Sequence, residues 1–481
     1  MRSLPFLFLI AGCLGPWQDE WSNNESDTDT DTDADTDTDA DTDTDADTDT
    51  DTDTDTDVGP QIVHVSGTIS SVTTWNASNT YILDEIVFVD SQLTIQAGTQ
   101  IKGEFGSALI VTTNGRLIAS GSPTNPIVFT SNQPVGQRAP GDWGGVAMLG
   151  SAIVHGGTQQ LEGIEETNIL GQYGGGDDTH NCGNLRYVRI EFPGFSIGTG
   201  NELNGLTLAG CGSGTLIEKV QVHFTLDDGV EIFGGKVDIK EMLLTRAGDD
   251  SLDWDEGWQG RAQFIIVQQD DVDHGGGAPD RGIEADGKFV TTRQSHPQIY
   301  NMTMVGSNGT VAQNGITLRE NTEGQLANFI VLGFTSNGID IRDENSSSPA
   351  VVADQPDQMT SQNVLDADLM LTSSVFFNNG AGGSVHADPD SSNDDDNGFD
   401  EAAWLALPEN GNKLGQAPLL TDPFNLTNPN FVPAAGSAAE SGAEMPPMDG
   451  WFNPAGGNFI GAIAPESATP FYAGWSAFPE N

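Results

Sequence analysis

Positive charge is what this chain has least of: 17 Lys and Arg stand against 71 Asp and Glu in 481 residues, a net charge of -54. A surface so acidic repels phosphate backbones and anionic lipid heads. Nucleic acid is thereby excluded as a partner, while basic ligands and divalent cations remain. Beyond the N-terminal segment no apolar run is long enough to cross a bilayer, which excludes a channel or transporter. The three Cys and seven His fall in no cluster with ligand spacing, so no zinc site is expected. A nucleophile elbow, a Ser/His/Asp spacing and a phosphate-cradling Gly loop are also missing, and no organic cofactor is implied. Nothing between Asn204 and Arg342 has a helical period.

What that stretch does have is a register that returns six times. Each return is a turn residue followed by an apolar, outward, apolar triplet. It reads Asn204-Gly205-Leu206-Thr207-Leu208, Asp228-Gly229-Val230-Glu231-Ile232, Asp250-Ser251-Leu252-Asp253-Trp254, Arg281-Gly282-Ile283-Glu284-Ala285, Asn314-Gly315-Ile316-Thr317-Leu318 and Asn337-Gly338-Ile339-Asp340-Ile341. The starts are 24, 22, 31, 33 and 23 residues apart. A period in the low twenties carrying a two-residue alternation marks a solenoid of short strands. The two long steps contain polar insertions, Asp270 to Asp280 and Thr291 to Pro297. Val220/Val222, Val237/Ile239, Phe264/Ile266, Met302/Met304 and Phe329/Val331 supply a second strand per coil, and Leu93 to Phe129 holds further three-residue strands between turns. The expected fold is all-β, a right-handed parallel β-helix with coils about 4.8 Å apart.

Four segments follow from composition. Residues 1–12, with Arg2 and the apolar run Leu4 to Ile10, read as a secretion signal. Ile10-Ala11-Gly12-Cys13 has small residues before a Cys, which resembles the lipobox of bacterial lipoproteins and would make Cys13 a lipidated first residue of an exported, outer-membrane protein. Residues 13–57 carry 19 acids and no Lys or Arg, so they form a self-repelling tether with a stretched reach on the order of 150 Å. The β-helix is expected over 58–345, and 346–481 should form irregular coils that fold back and close its end, with a short helix at Glu401 to Ala406. A monomer touching the membrane through its lipid alone is the default.

Gly141-Asp142-Trp143-Gly144-Gly145, Leu185 to Phe192, Asn201 to Thr207, Asp227 to Gly235 and the ending Phe459-Ile460-Gly461-Ala462 resemble the secreted β-helix lipoproteins of bacteria. That resemblance implies a pectin-lyase-like solenoid at the cell surface, and the family carries no settled activity. If Cys13 is lipidated, Cys182 and Cys211 remain as an even pair in an oxidising compartment. Their separation of 29 is close to one coil, so a disulfide between adjacent coils is expected, the alternative being two buried thiols.

Stacking the six turns places Thr207, Glu231, Asp253, Glu284, Thr317 and Asp340 in one file and Ala209, Phe233, Asp255, Asp286, Arg319 and Arg342 in the next. Glu231, Asp253, Asp255, Glu284 and Asp286 then share a patch that needs a compensating charge, for which calcium, a hard cation taking oxygen ligands, is the natural candidate. A plainer reading has these outward acids solvated. Two roles follow for the chain: a binding or structural surface module for an envelope polysaccharide, or a calcium-dependent polysaccharide lyase or hydrolase. In the second, Asp253 and Asp255 would be the acid and base, with Arg246 or Arg261 as charge partner. Trp254 and Trp258 suit sugar stacking, although Trp254 falls on an inward position.

Overall fold

The computed structural model describes residues 59–198, 201–275, 279–288, 293–343, 359–388, 396 and 398–481. The signal, Cys13 and the tether lie outside them. Among the described residues the chain winds into coils whose strands stack in parallel, the arrangement expected of a parallel β-helix. One sheet has ten strands, running from Thr68–Ile69 to Ile339–Ile341, and contains all six recurring turns as consecutive neighbours. The register is the one the alternation demands. Thr207 pairs with Glu231, Glu231 with Asp253, Asp253 with Glu284, Glu284 with Thr317 and Thr317 with Asp340.

The other large sheet has sixteen strands and begins as two arms, one through Gln92–Ile95 and one through Thr80–Leu83. They fuse on Gly183–Glu191, where one long strand replaces two short ones. Each later coil turns this corner on a single residue with positive φ: Tyr187 at 50°, Lys219 at 56°, Glu241 at 56°, Phe264 at 63°, Asn301 at 61° and Asn328 at 64°. Only Asn among these tolerates that region readily, so the stacking on both sides must hold the others there. The corner also resets the alternation. Ile265 and Val267 point into the main core, while Phe264 and Ile266 lie outside it. In Phe264-Ile265-Ile266-Val267 no polar residue marks the phase.

The interior is a continuous file of Leu, Ile, Val and Met from Leu83 to Leu371, closed towards the C-terminal end by Val364, Trp404 and Leu405. Glu401–Leu405 is helical as expected, capped by the Asp400 carboxylate accepting from the Ala403 amide. Parallel pairing continues past residue 345 through Leu369–Thr372, Val375–Phe377 and Lys413–Leu414, so the coil outlasts its visible period. The remaining C-terminal residues do fold back, but along the outside of the long sheet. Asn301 Nδ2 donates to the Gly456 and Phe459 carbonyls, the Gln221 amide to the Ala477 carbonyl, and His223 Nε2 meets the Pro479 carbonyl. Leu243, Ile266 and Ile330 form a second apolar layer beneath this strap with Phe431, Ile460 and Tyr472. Cys182 and Cys211 are disulfide-bonded with Cα atoms 5.9 Å apart. No helix among the described residues is long and apolar enough to cross a membrane.

Candidate metal centre

The outer face of the ten-stranded sheet changes character along its length. Its central file begins with Phe88, Ile110 and Ala147, passes Thr207, and becomes acidic at Glu231. The segment from Val154 to Tyr173 lies over the apolar part, packing Val154, Leu161, Ile164 and Tyr173 against Ile110, Ala147, Ala209 and Phe233. At its edge the Tyr173 hydroxyl donates to Glu256 Oε2 at 3.0 Å. The acids that follow are buried as well. Glu231 is 9% exposed, Asp253 8%, Glu284 9% and Asp286 7%, which overturns the reading of them as solvated side chains.

Protein cations compensate one end of this file. Arg319 spans Glu284 at 2.9 Å and Asp286 at 2.6 Å, Arg281 reaches Glu284, Asp280 and Asp250 at 2.8, 3.0 and 3.2 Å, and Lys288 pairs with Asp255. Arg319 thus serves its own end of the file, as the stacking implies; Arg281 and Lys288, at a turn and a strand end, escaped the alternation. Arg246 is paired with Asp270 at 2.7 Å and sits over the Phe224 ring, whereas Arg261 holds Asp238 and Asp449 on the long sheet. Neither forms an ion pair with Asp253 or Asp255; of these two acids, Asp255 is paired with Lys288.

At the other end, Asp228, Glu231 and Asp253 form no ion pair with a Lys or Arg among the described residues. Asp228, Glu231 and Asp253 are all buried, and each offers a carboxylate oxygen within 4.8 Å of the others. Asp227, Asp228 and Asp249 form a second, overlapping group at the turns. The Asn204 amide donates to Glu231 Oε2 and the Asp250 amide to Asp228 Oδ1. Asp253 Oδ1 is buried without a hydrogen-bond partner, and so is Asp250 Oδ1. Burial, and then mutual repulsion, push the carboxyls of Asp228, Glu231, Asp250 and Asp253 well above the ordinary range. Asp286, despite Arg319, is raised to about 6, and Glu256 to about 7, in both cases chiefly by burial.

Such a group has two stable states: protonated, or ionised around a cation. The donors fit a hard divalent ion, since all are carboxylate oxygens and the orphaned Asp253 oxygen lacks any other partner. Of the five residues expected to share the cation, Glu231 and Asp253 lie in this group. Asp228, a turn acid, joins them because the first residue of one turn sits beside the outward residues of its own and the next coil. Asp255, Glu284 and Asp286 already face Lys or Arg. Trp254 and Trp258 are fully buried core residues and present no face to a sugar.

The solved structure titled "Crystal Structure of the periplasmic alginate epimerase AlgG" resembles this chain at 12% identity, covering 66% of this chain and 75% of that one with a TM-score of 0.28. A likeness this slight says nothing of activity. No curated protein matches the chain in sequence. The model for the pectate-lyase like beta helix domain matches residues 67–407, and with its stacked parallel coils the chain belongs to that family.

Proposed function

We propose that this chain is an exported surface module, anchored through a lipid on Cys13, whose β-helix binds an envelope polysaccharide and is held together by calcium at Asp228, Glu231 and Asp253. The observation carrying the cation is the buried, partnerless Asp253 oxygen beside two further buried carboxylates. Uncompensated carboxylates at this density cost several kcal/mol to ionise, and a divalent ion removes that cost. Burial also favours binding over catalysis. With Asp253 8% exposed and Asp255 tied to Lys288, the acid and base of a lyase or hydrolase have little access to a polymer.

The test is a polysaccharide panel assayed for both retention and product, with and without chelator. The proposal expects retention without product and a chelator-dependent loss of stability. Release of unsaturated or reducing ends from any polymer would establish the lyase or hydrolase instead.

A further inference from the structure

On the long sheet lies a polar cleft of about 460 Å³, lined by residues that include Ser213, Lys236, Asp238, Gln259, Arg261 and His296. An adjoining cleft of about 370 Å³ shares Ser213, Asp238 and Arg261 and adds Lys240 and Trp451. Each is within the size range of small-ligand sites, about 300–1,000 Å³. The floor is built coil by coil, Arg261 pairing in register with Gln298 and Gln298 with Gln325. Polar side chains therefore repeat along the solenoid axis at the strand spacing of about 4.8 Å. The C-terminal strap contributes Asp449 and Trp451, so the cleft exists only once the strap has docked.

The lining is rigid and locally neutral. Arg261 holds Asp238 through Nε at 3.1 Å and through a second guanidinium nitrogen at 2.5 Å, and reaches Asp449 at 2.5 Å. Gln259 donates to the Gln294 carbonyl at 3.1 Å and Gln298 to Gln325 Oε1 at 3.0 Å, so both amides are held before any ligand arrives. His296 is oriented by Glu323 at 2.7 Å. Lys236 and Arg261 balance Asp238 and Asp449 within the first cleft. Half-buried Trp451 has the Lys240 ammonium 4.0 Å and the Arg261 guanidinium 4.8 Å from its ring centroid, which fixes the aromatic edge. In a chain of net charge -54, a neutral polar cleft of amides, hydroxyl, imidazole and indole suits a polyol better than an ion.

We infer that this cleft binds a neutral, hydroxyl-rich linear glycan lying along the solenoid axis, with its repeat matched to the coil spacing. The inference rests on the envelope-polymer reading for its ligand class, but uses none of the acidic file. Affinity electrophoresis of the full chain in gels containing laminarin, hydroxyethylcellulose, galactomannan or polygalacturonate tests it. At least one neutral polymer should retard the protein, and Gln298→Ala, His296→Ala and Trp451→Ala should each weaken that retardation about tenfold. Gln298 and His296 are partly exposed, so those variants keep the fold even if Trp451→Ala loosens the strap, and their melting curves should match the parent's. Retardation by polygalacturonate alone, by no polymer, or undiminished in all three variants overturns the inference. Neutral-glycan binding in a protein whose melting ignores calcium would leave this cleft standing and remove the cation from the proposed function.

Discussion

Glu231 and Asp253 are register partners on adjacent coils, and both are less than one-tenth exposed. Two carboxylates side by side out of water make an unstable pair unless a proton or a cation joins them.

The proton alternative has a pH signature. Asp228, Glu231, Asp250 and Asp253 have folded pKa values raised by burial and like charge, so without a cation the folded state binds more protons than the unfolded one. Their contribution to stability is fully present below about pH 4 and is lost as pH rises through the folded values, at a slope of about 1.4 kcal/mol per pH unit for each proton. Denaturant melts in chelator between pH 4 and 8 should show that fall, and saturating calcium should flatten it. Equal slopes with and without calcium would count against a cation here.

Arg319 is the single bridge between Glu284 at 2.9 Å and Asp286 at 2.6 Å. Replacing it with Ala strands the buried Asp286 and leaves Glu284 to Arg281 alone, and Arg319→Ala should lose about 3–5 kcal/mol at pH 7 by urea unfolding. Because Asp286 sits at about 6, the loss should shrink at pH 5, where the stranded carboxyl is protonated. A loss that does not change with pH would mean that Arg319 acts through packing alone.

The Cys182–Cys211 bridge closes a loop across 29 positions. Replacing both with Ser should lower stability by about 2–4 kcal/mol, and alkylation of the unreduced, unfolded chain should leave this pair unmodified. Modification of either residue without reductant contradicts the bridge.

Asn301 is fully buried, occupies a corner with φ 61°, and donates to two strap carbonyls. Asn301→Ala should cost about 1–3 kcal/mol for the lost hydrogen bonds, and the left-handed backbone adds to this. Asn301→Gly relieves the backbone alone and should be milder. Hydrogen exchange in residues 444 to 462 should rise in both variants, and an unchanged pattern would detach the strap from this corner.

The fold was legible because a period-two alternation repeats with Gly or Asp at its start, so Thr207 to Asp340 could be aligned by eye and proved to be in register. The corner at Tyr187, Lys219, Glu241 and Phe264 was not, because four unrelated residue types take one left-handed conformation under stacking constraint. Nor does alternation show what lies over the outward face. Leu161, Ile164 and Tyr173 belong to no repeat, and they cover its apolar half. Arg281 beside Glu284 and Lys288 beside Asp255 stay out of the pattern for a related reason. Arg281 occupies a turn position and Lys288 follows a strand, so neither falls in a file that stacking can predict.

Calcium binding by isothermal titration of the chelator-stripped full chain at pH 7, beside Asp253→Asn, addresses the acidic file most directly. The parent should show a saturable calcium site that is lost or weakened at least about tenfold in the variant, with a calcium-dependent rise in melting temperature confined to the parent. No heat of binding and no shift in melting in the parent would contradict it.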